Sequence, residues 1–421
     1  MRWEAASVRG MERGAAVAAS LTTASGPLPA RGAALAATVT EPGGIAWDEQ
    51  GTLVYAGPAD GLPWEATVGA FDRGALVPGF VDCHVHLPFV GWRADEFEAR
   101  LAGVSYRELH KDGGIFRSSR LLNEASDDAV MDFCRPLVAE MLAHGTTALE
   151  LKTGYGLSVE GELRQARLAR RLASEVAAQT CTVTLLACHA VPEGMARGDW
   201  VRAACDELIP AAAAQGLVDA VDIYVEDIAF SLEDLEEVAA AAASARLPLR
   251  VHADQLGQSG AAEMAVRLGA RSADHLNQCS DEGVEALGSA AETVAVLLPA
   301  SSFFLGAGRP PVKALRTRGA ALAVATDFNP GTSPICSMPE AIAMAATVYG
   351  MAPLEALTAA TANPAWVLGL QDRIGTLEAG KRADFLILEE PAFAQVPYRP
   401  GHNPVWATFI AGEPVWGRIV S

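Results

Sequence analysis

The chain has 421 residues, half of them hydrophobic and a fifth charged, with a formal net charge of −19. That composition folds compactly rather than staying disordered, and its acidity excludes broad binding to nucleic acid or to an anionic membrane, which it would repel. No apolar run approaches the length of a bilayer span, and seven cysteines without a CxxC pair suit reduced thiols better than a disulfide framework.

The first stretch, MRWEAASVRGMERGAAVAASLTTASG, has early arginines, but Glu4 and Glu12 interrupt it and its apolar part is weak. It reads as an unprocessed, loosely specified start to a cytoplasmic protein. Residues 26–77 hold short β-type pieces such as GGIAWDEQGTLVYAGP, broken by Gly, Pro and acidic residues. From Pro78 onward, apolar strand candidates alternate with helix candidates. The strands are GFVDCHV, TTALELK, TVTLLACH, AVDIYVE, PLRVHAD, RSADHL, TVAVLLPA and LAVATDF. Between two of them lies SLEDLEEVAAAAASA, where Ser231 and Asp234 have the spacing of a helix capping box. Eight such units predict a (β/α)8 barrel, with a doubly wound sheet as the alternative. After the last strand come helices around SMPEAIAMAATVYG and PLEALTAATANPAWVLGL, and then GTLEAGKRADFLIL and VWATFIAGEPVWGRIV return to β alternation. The expected fold is α/β: a TIM barrel over residues 78–375, and a small β-sandwich domain formed by residues 1–77 and 376–421.

Five of the eight histidines, His84, His86, His189, His252 and His275, fall at the C-terminal ends of these strands, where a barrel carries its active site. Side chains two apart on a strand share a face, so His84 and His86 can aim at one point. Alone, that pair fits a solvated strand end as well as a metal site. His252 and Asp327, ending the fifth and eighth strands, complete a ligand set suited to zinc or ferrous iron with a position open to water. Water on such a metal becomes an available nucleophile, so hydrolysis is the natural reaction class. His275 is a candidate general base or a structural histidine, and His189 a substrate contact or a structural residue. Arg93 in GWRADEF fits a clamp on a substrate carboxylate, or a surface arginine paired with Asp95 or Glu96. Tyr155 stands between two glycines in LKTGYGLS, on a mobile or closely approaching loop. Lys152 invites comparison with a carbamylated lysine bridging two metals. Its place on the second strand argues against that, so one metal is expected.

PGFVDCHVH with the distant HAD and TDFNPG resembles the amidohydrolase superfamily. GWRADEFEARLAGVSY, ELKTGYGL, HADQLGQSGAAEMAVRLGARSADHL, AVLLPASSFFL and ATDFNPGTSP together resemble the imidazolonepropionases, from about Pro78 to Tyr398. That resemblance implies ring opening of 4-imidazolone-5-propanoate by water to N-formimidoyl-glutamate, a step of histidine degradation. It implies His84, His86, His252 and Asp327 as ligands of one divalent metal, zinc or iron. Arg93, Tyr155, His189 and Gln255 match the family's substrate contacts, Asn329, Gly331 and Thr332 match positions at the product-like end, and His275 matches the catalytic histidine. The implied chemistry has Arg93 and Tyr155 gripping the propionate, His189 polarising the ring carbonyl, His275 activating water, and Asp327 passing a proton to the leaving nitrogen. A homodimer is also implied. HLPFVGWR and DIYVEDIAF depart from the family's usual forms, the stretch before Pro78 matches poorly, and no role follows for Asp254. The competing readings are a deaminase of cyclic amidines such as guanine or cytosine, which lacks the Arg93 and GYG handles, and a catalytically inactive barrel, which would have lost metal ligands.

Overall fold

A computed structural model of the chain describes residues 13–66, 68–104, 113–176 and 178–418. Glu4 and Glu12 of the first stretch lie outside the described residues, but the part that follows is not loose. Gly14–Thr23 forms a ten-residue strand, β1. Its run of Ala and other small residues lets neighbours approach on both faces, and it pairs with three strands. These are β2 (Thr38–Thr40), β3 (Gly43–Trp47) and the parallel β5 (Val68–Pro78), while β4 (Leu53–Pro58) pairs with β3.

The barrel follows: β6 (Phe80–Asp82), β7 (Thr146–Lys152), β8 (Thr180–Cys188), β9 (Ala220–Val225), β10 (Leu249–Ala253), β11 (Ser272–His275), β12 (Val294–Leu297) and β13 (Ala321–Val324). All are parallel and each pairs with the next, so the eight expected strands are those observed. Helices cover the outside and side chains fill the inside, so every residue of the short strands β9 to β13 is buried. The seam between β13 and β6 is closed by side chains as well as backbone. Asp82 accepts the Thr326 N–H (3.1 Å) and hydroxyl (2.5 Å), and the His86 N–H donates to the Phe328 carbonyl at 2.9 Å. The capping box before helix Leu232–Ser244 forms as expected from Ser231 and Asp234.

After the barrel, β14 (Phe385–Leu388), β15 (Val405–Ile410) and β16 (Glu413–Gly417) add to β5, giving the sheet order β16-β15-β14-β5-β1-β3-β4. This mixed sheet curls until its halves face each other. Leu53 exchanges backbone hydrogen bonds with Lys381 and Gly380, and the Trp47 ring lies 5.3 Å from that of Phe385, which stacks on Phe409. The two ends of the chain therefore share one apolar core. Asn363 ties this unit to the barrel: its amide bonds both Ala30 backbone groups and the Leu322 carbonyl. Among the described residues no helix is long and apolar enough to cross a membrane, and all seven cysteines are free.

Candidate active site

On β6 and its continuation, strand alternation sends Val81 and Cys83 outward against helix Ala362–Val367 and leaves Asp82, His84 and His86 facing the barrel axis. His84 Nε2, His86 Nε2 and Asp327 Oδ1 then form a triangle with edges of 3.2, 3.3 and 3.6 Å. A tetrahedral ion with bonds of about 2.0–2.1 Å spaces its ligand atoms by roughly 3.4 Å, so this triangle has the size of one face of such a site. The His252 ring lies 4.5 Å from that of His84, and its Nε2 is buried without a hydrogen-bond partner. An acceptor left unpaired in the barrel interior is costly. An ion facing it would remove that cost, so the donor set fits a metal.

Two carboxylates behind the imidazoles orient them. The His84 Nδ1–H donates to Asp274 at 2.6 Å, and the His252 Nδ1–H donates to Asp222 at 3.1 Å, which turns each Nε2 lone pair toward the triangle. Burial, then the nearby Lys152 charge, hold His84 well below the usual imidazole pKa, so it is neutral and able to ligate. For Asp327, burial pushes the carboxyl up, but the hydrogen bond from His86 and the neighbouring imidazoles outweigh it and keep the pKa low. His275 ends β11 with its ring 5.3 Å from His252, and burial pushes its pKa down to about 3 against the opposing pull of Asp327. Both His275 (φ 77°) and Asp327 (φ 54°) have left-handed backbone. Such geometry costs on the order of 1–3 kcal/mol per residue and is kept where surrounding packing over-determines it.

Above the triangle opens a small cleft lined by His86, Arg93, Ile115, Tyr155, His189, Tyr224, His252, Gln255, His275, Asp327, Asn329 and Thr332. His84 lies beneath this lining and Gly331 under Arg93. Arg93 partly satisfies both of its readings. It pairs with Glu96 (Nε to Oε2, 3.2 Å), yet it is only 5 % exposed and faces the cleft, while Asp95 pairs with Arg117 instead. Its Nη1 donates to Ser118, and its guanidinium packs against Gly331, where a Cβ would come within 1.4 Å of Nη2.

The Tyr155 loop is pinned rather than mobile. The buried Glu162 carboxylate accepts the N–H groups of Gly154, Gly156 and Leu157 at 2.9, 2.7 and 3.0 Å. Gln165 accepts the Tyr155 N–H and donates to the Pro88 carbonyl. Glu162→Gln replaces one acceptor oxygen by a donor facing N–H groups, so it is expected to destabilise the fold by about 1–3 kcal/mol, measured by chemical denaturation. His189 Nδ1–H donates to the Gly154 carbonyl at 2.9 Å, so its Nε2 accepts a hydrogen bond in the neutral ring and donates one only in the imidazolium. The Asn329 amide is committed to its own turn, bonding the Asp327 carbonyl, the Gly331 and Thr332 N–H groups and the Thr332 hydroxyl. Asp254 accepts from Ser259 and Ala262 and holds a loop. Gln255 is flanked by Glu226, which accepts the Leu256 N–H.

Asp222, Asp274, Glu162, Glu226 and Tyr224 were not singled out in the sequence. A charged residue inside an apolar barrel strand was the available signal: with helices on the outer face, Asp222 of AVDIYV has only the interior to point into.

A family model described as "Amidohydrolase family" matches residues 75–415. Proteins called imidazolonepropionase in Xanthomonas campestris pv. campestris (strain 8004) and Methylobacterium sp. (strain 4-46) are each 42% identical over 375 residues, which is 88% of this chain and 93% of theirs. The structure of a zinc-bound adenosine deaminase from Xanthomonas campestris superposes with a TM-score of 0.70, over 96% of this chain and 92% of that one. At 20% identity that likeness concerns the fold alone. The chain belongs to the amidohydrolase family and, within it, to the imidazolonepropionases.

Proposed function

We propose that the chain hydrolyses the cyclic amide C–N bond of 4-imidazolone-5-propanoate, giving N-formimidoyl-L-glutamate in histidine degradation. The observation that carries this reading is the joining, in one small cleft, of the buried Arg93 guanidinium with His86, His252 and Asp327, which lie over two clusters of possible ligands that share His84: His84, His86 and Asp327, and His84, His252 and His275. A small substrate bearing a carboxylate on a short arm needs that arrangement, and the relatives' name agrees with it.

His84, His86, His252 and Asp327 would hold a single zinc or ferrous ion, which when bound polarises a carbonyl and lowers the pKa of water. The ligand assignment favours His252 over His275, because only the former has a carboxylate on its far nitrogen among the described contacts. In the reaction, Arg93 and Tyr155 grip the propionate and fix the ring above Asp327. His189 contacts the ring, and to polarise its carbonyl it must carry both protons. Neutral His275 takes the proton of the attacking water. Asp327 takes the remaining proton from the hydroxyl of the adduct and delivers it to the ring nitrogen as the C–N bond breaks, leaving the product carboxylate. Gln255, Gly331 and Thr332 line the product-like end, with Asn329 bracing their turn. In the same reading the enzyme is a cytoplasmic homodimer without nucleic-acid or membrane partners.

The test is an assay in which urocanate hydratase supplies the unstable imidazolone in place. Its loss and the appearance of N-formimidoyl-glutamate are expected, with activity abolished by metal stripping and restored by one equivalent of zinc or ferrous iron. Turnover of guanine or cytosine, with none of the imidazolone, would overturn the assignment in favour of a deaminase.

A further inference from the structure

Below the metal-ligand triangle the barrel holds an ion cluster that the chemistry above does not use. Lys152, on β7, is fully buried, and its Nζ lies 2.6 Å from Asp222, 3.1 Å from Glu150 and 4.0 Å from Asp274. Glu150 is in turn bonded by Arg250 and by the Thr184 hydroxyl. The cluster is therefore uneven. Glu150 has a second cation, whereas Asp222 and Asp274 have only Lys152 as a full positive charge in contact among the described residues.

Asp222 and Asp274 are also the two groups that receive the Nδ1–H of His252 and His84. One ammonium thus stands behind two imidazoles on different strands. We propose that Lys152 is a positioning residue for the metal: its ammonium, seated between Asp222 and Asp274, fixes where both carboxylates sit, so that both Nε2 lone pairs point at one site. This rests on the reading of His84 and His252 as metal ligands. The physical reason is geometric: two buried carboxylates that lose the ammonium between them turn toward other donors, and that movement releases the imidazoles they hold.

Removing a buried cation can also unfold the barrel, so the experiment uses two variants, Lys152→Met and the charge-balanced Lys152→Met/Glu150→Gln. The second removes one negative charge without touching either carboxylate that holds an imidazole. Each metal-free protein is titrated with zinc against a chromophoric chelator, its fold is followed by circular dichroism, and the visible spectrum of the cobalt-loaded form reports ligand geometry. The expected result is a zinc affinity lowered by about 10–100-fold in the folded double variant, with altered cobalt bands. Wild-type affinity and spectrum in that variant would mean that Lys152 only balances Glu150, and would overturn the proposal. A double variant that cannot fold assigns Lys152 to barrel stability and overturns it as well. Failure of the wild-type protein itself to bind zinc or cobalt would instead bring down the metal reading, and this proposal with it.

Discussion

Asp327→Asn is expected to lower kcat by about 10³-fold even at saturating metal, an effect of about 4 kcal/mol at 1.4 kcal/mol per tenfold. The substitution keeps the volume of the side chain, so the turn organised by Asn329 survives. What it removes is charge and basicity at the atom lying 3.3 Å from His86 Nε2 and 3.6 Å from His84 Nε2. Two losses follow. As a ligand, an amide oxygen is a weaker donor, which weakens zinc binding. As a proton carrier, an amide cannot take a proton and release it to a leaving nitrogen, and no excess of metal repairs that. Measuring bound zinc and turnover in parallel separates the two. Full recovery of kcat at high zinc would leave Asp327 as a ligand only.

The parts of this molecule that were legible beforehand are those set by short-range rules. Eight apolar strands, each bounded by turn residues, announce the barrel, and the histidines at their ends announce where its chemistry sits. The strand β1 was missed because GAAVAASLTT is rich in Ala, a poor strand former; its role comes from sitting between three partners that leave room only for small side chains. The site shows the same division. His84 and His86 follow from a period of two along one strand. The partnership of His252 with Asp222 depends on β9 and β10 lying side by side, and that of His84 with Asp274 on β6 and β11 meeting across the interior once the barrel closes, at separations of 30 and 190 residues. Arg93 was open between rim and clamp because a loop's packing cannot be read from local pattern. Burial at 5 % exposure and the close seat on Gly331 are tertiary facts.

That seat gives the sharpest test of substrate recognition. Arg93→Ala is expected to raise KM for the imidazolone by about 10²–10³-fold with a much smaller fall in kcat. A charge-assisted contact to a carboxylate held in a partly dry cleft is worth roughly 3–4 kcal/mol once the cost of an unpaired partner is included. The propionate is remote from the bond that breaks, so losing its clamp removes binding common to the ground and transition states. Charge alone does not account for the residue, because a clamp must also be aimed. Glu96 and Ser118 hold the guanidinium from one side and Gly331 from below. Gly331→Ala therefore provides a second route to the same result: its methyl would occupy the space of Nη2, pushing the guanidinium off the turn while leaving every charge in place. Steady-state kinetics of the two variants should show KM raised in both and kcat largely kept. If Gly331→Ala left KM unchanged, the guanidinium could be displaced without loss of substrate, and the carboxylate would have to be bound elsewhere in the cleft.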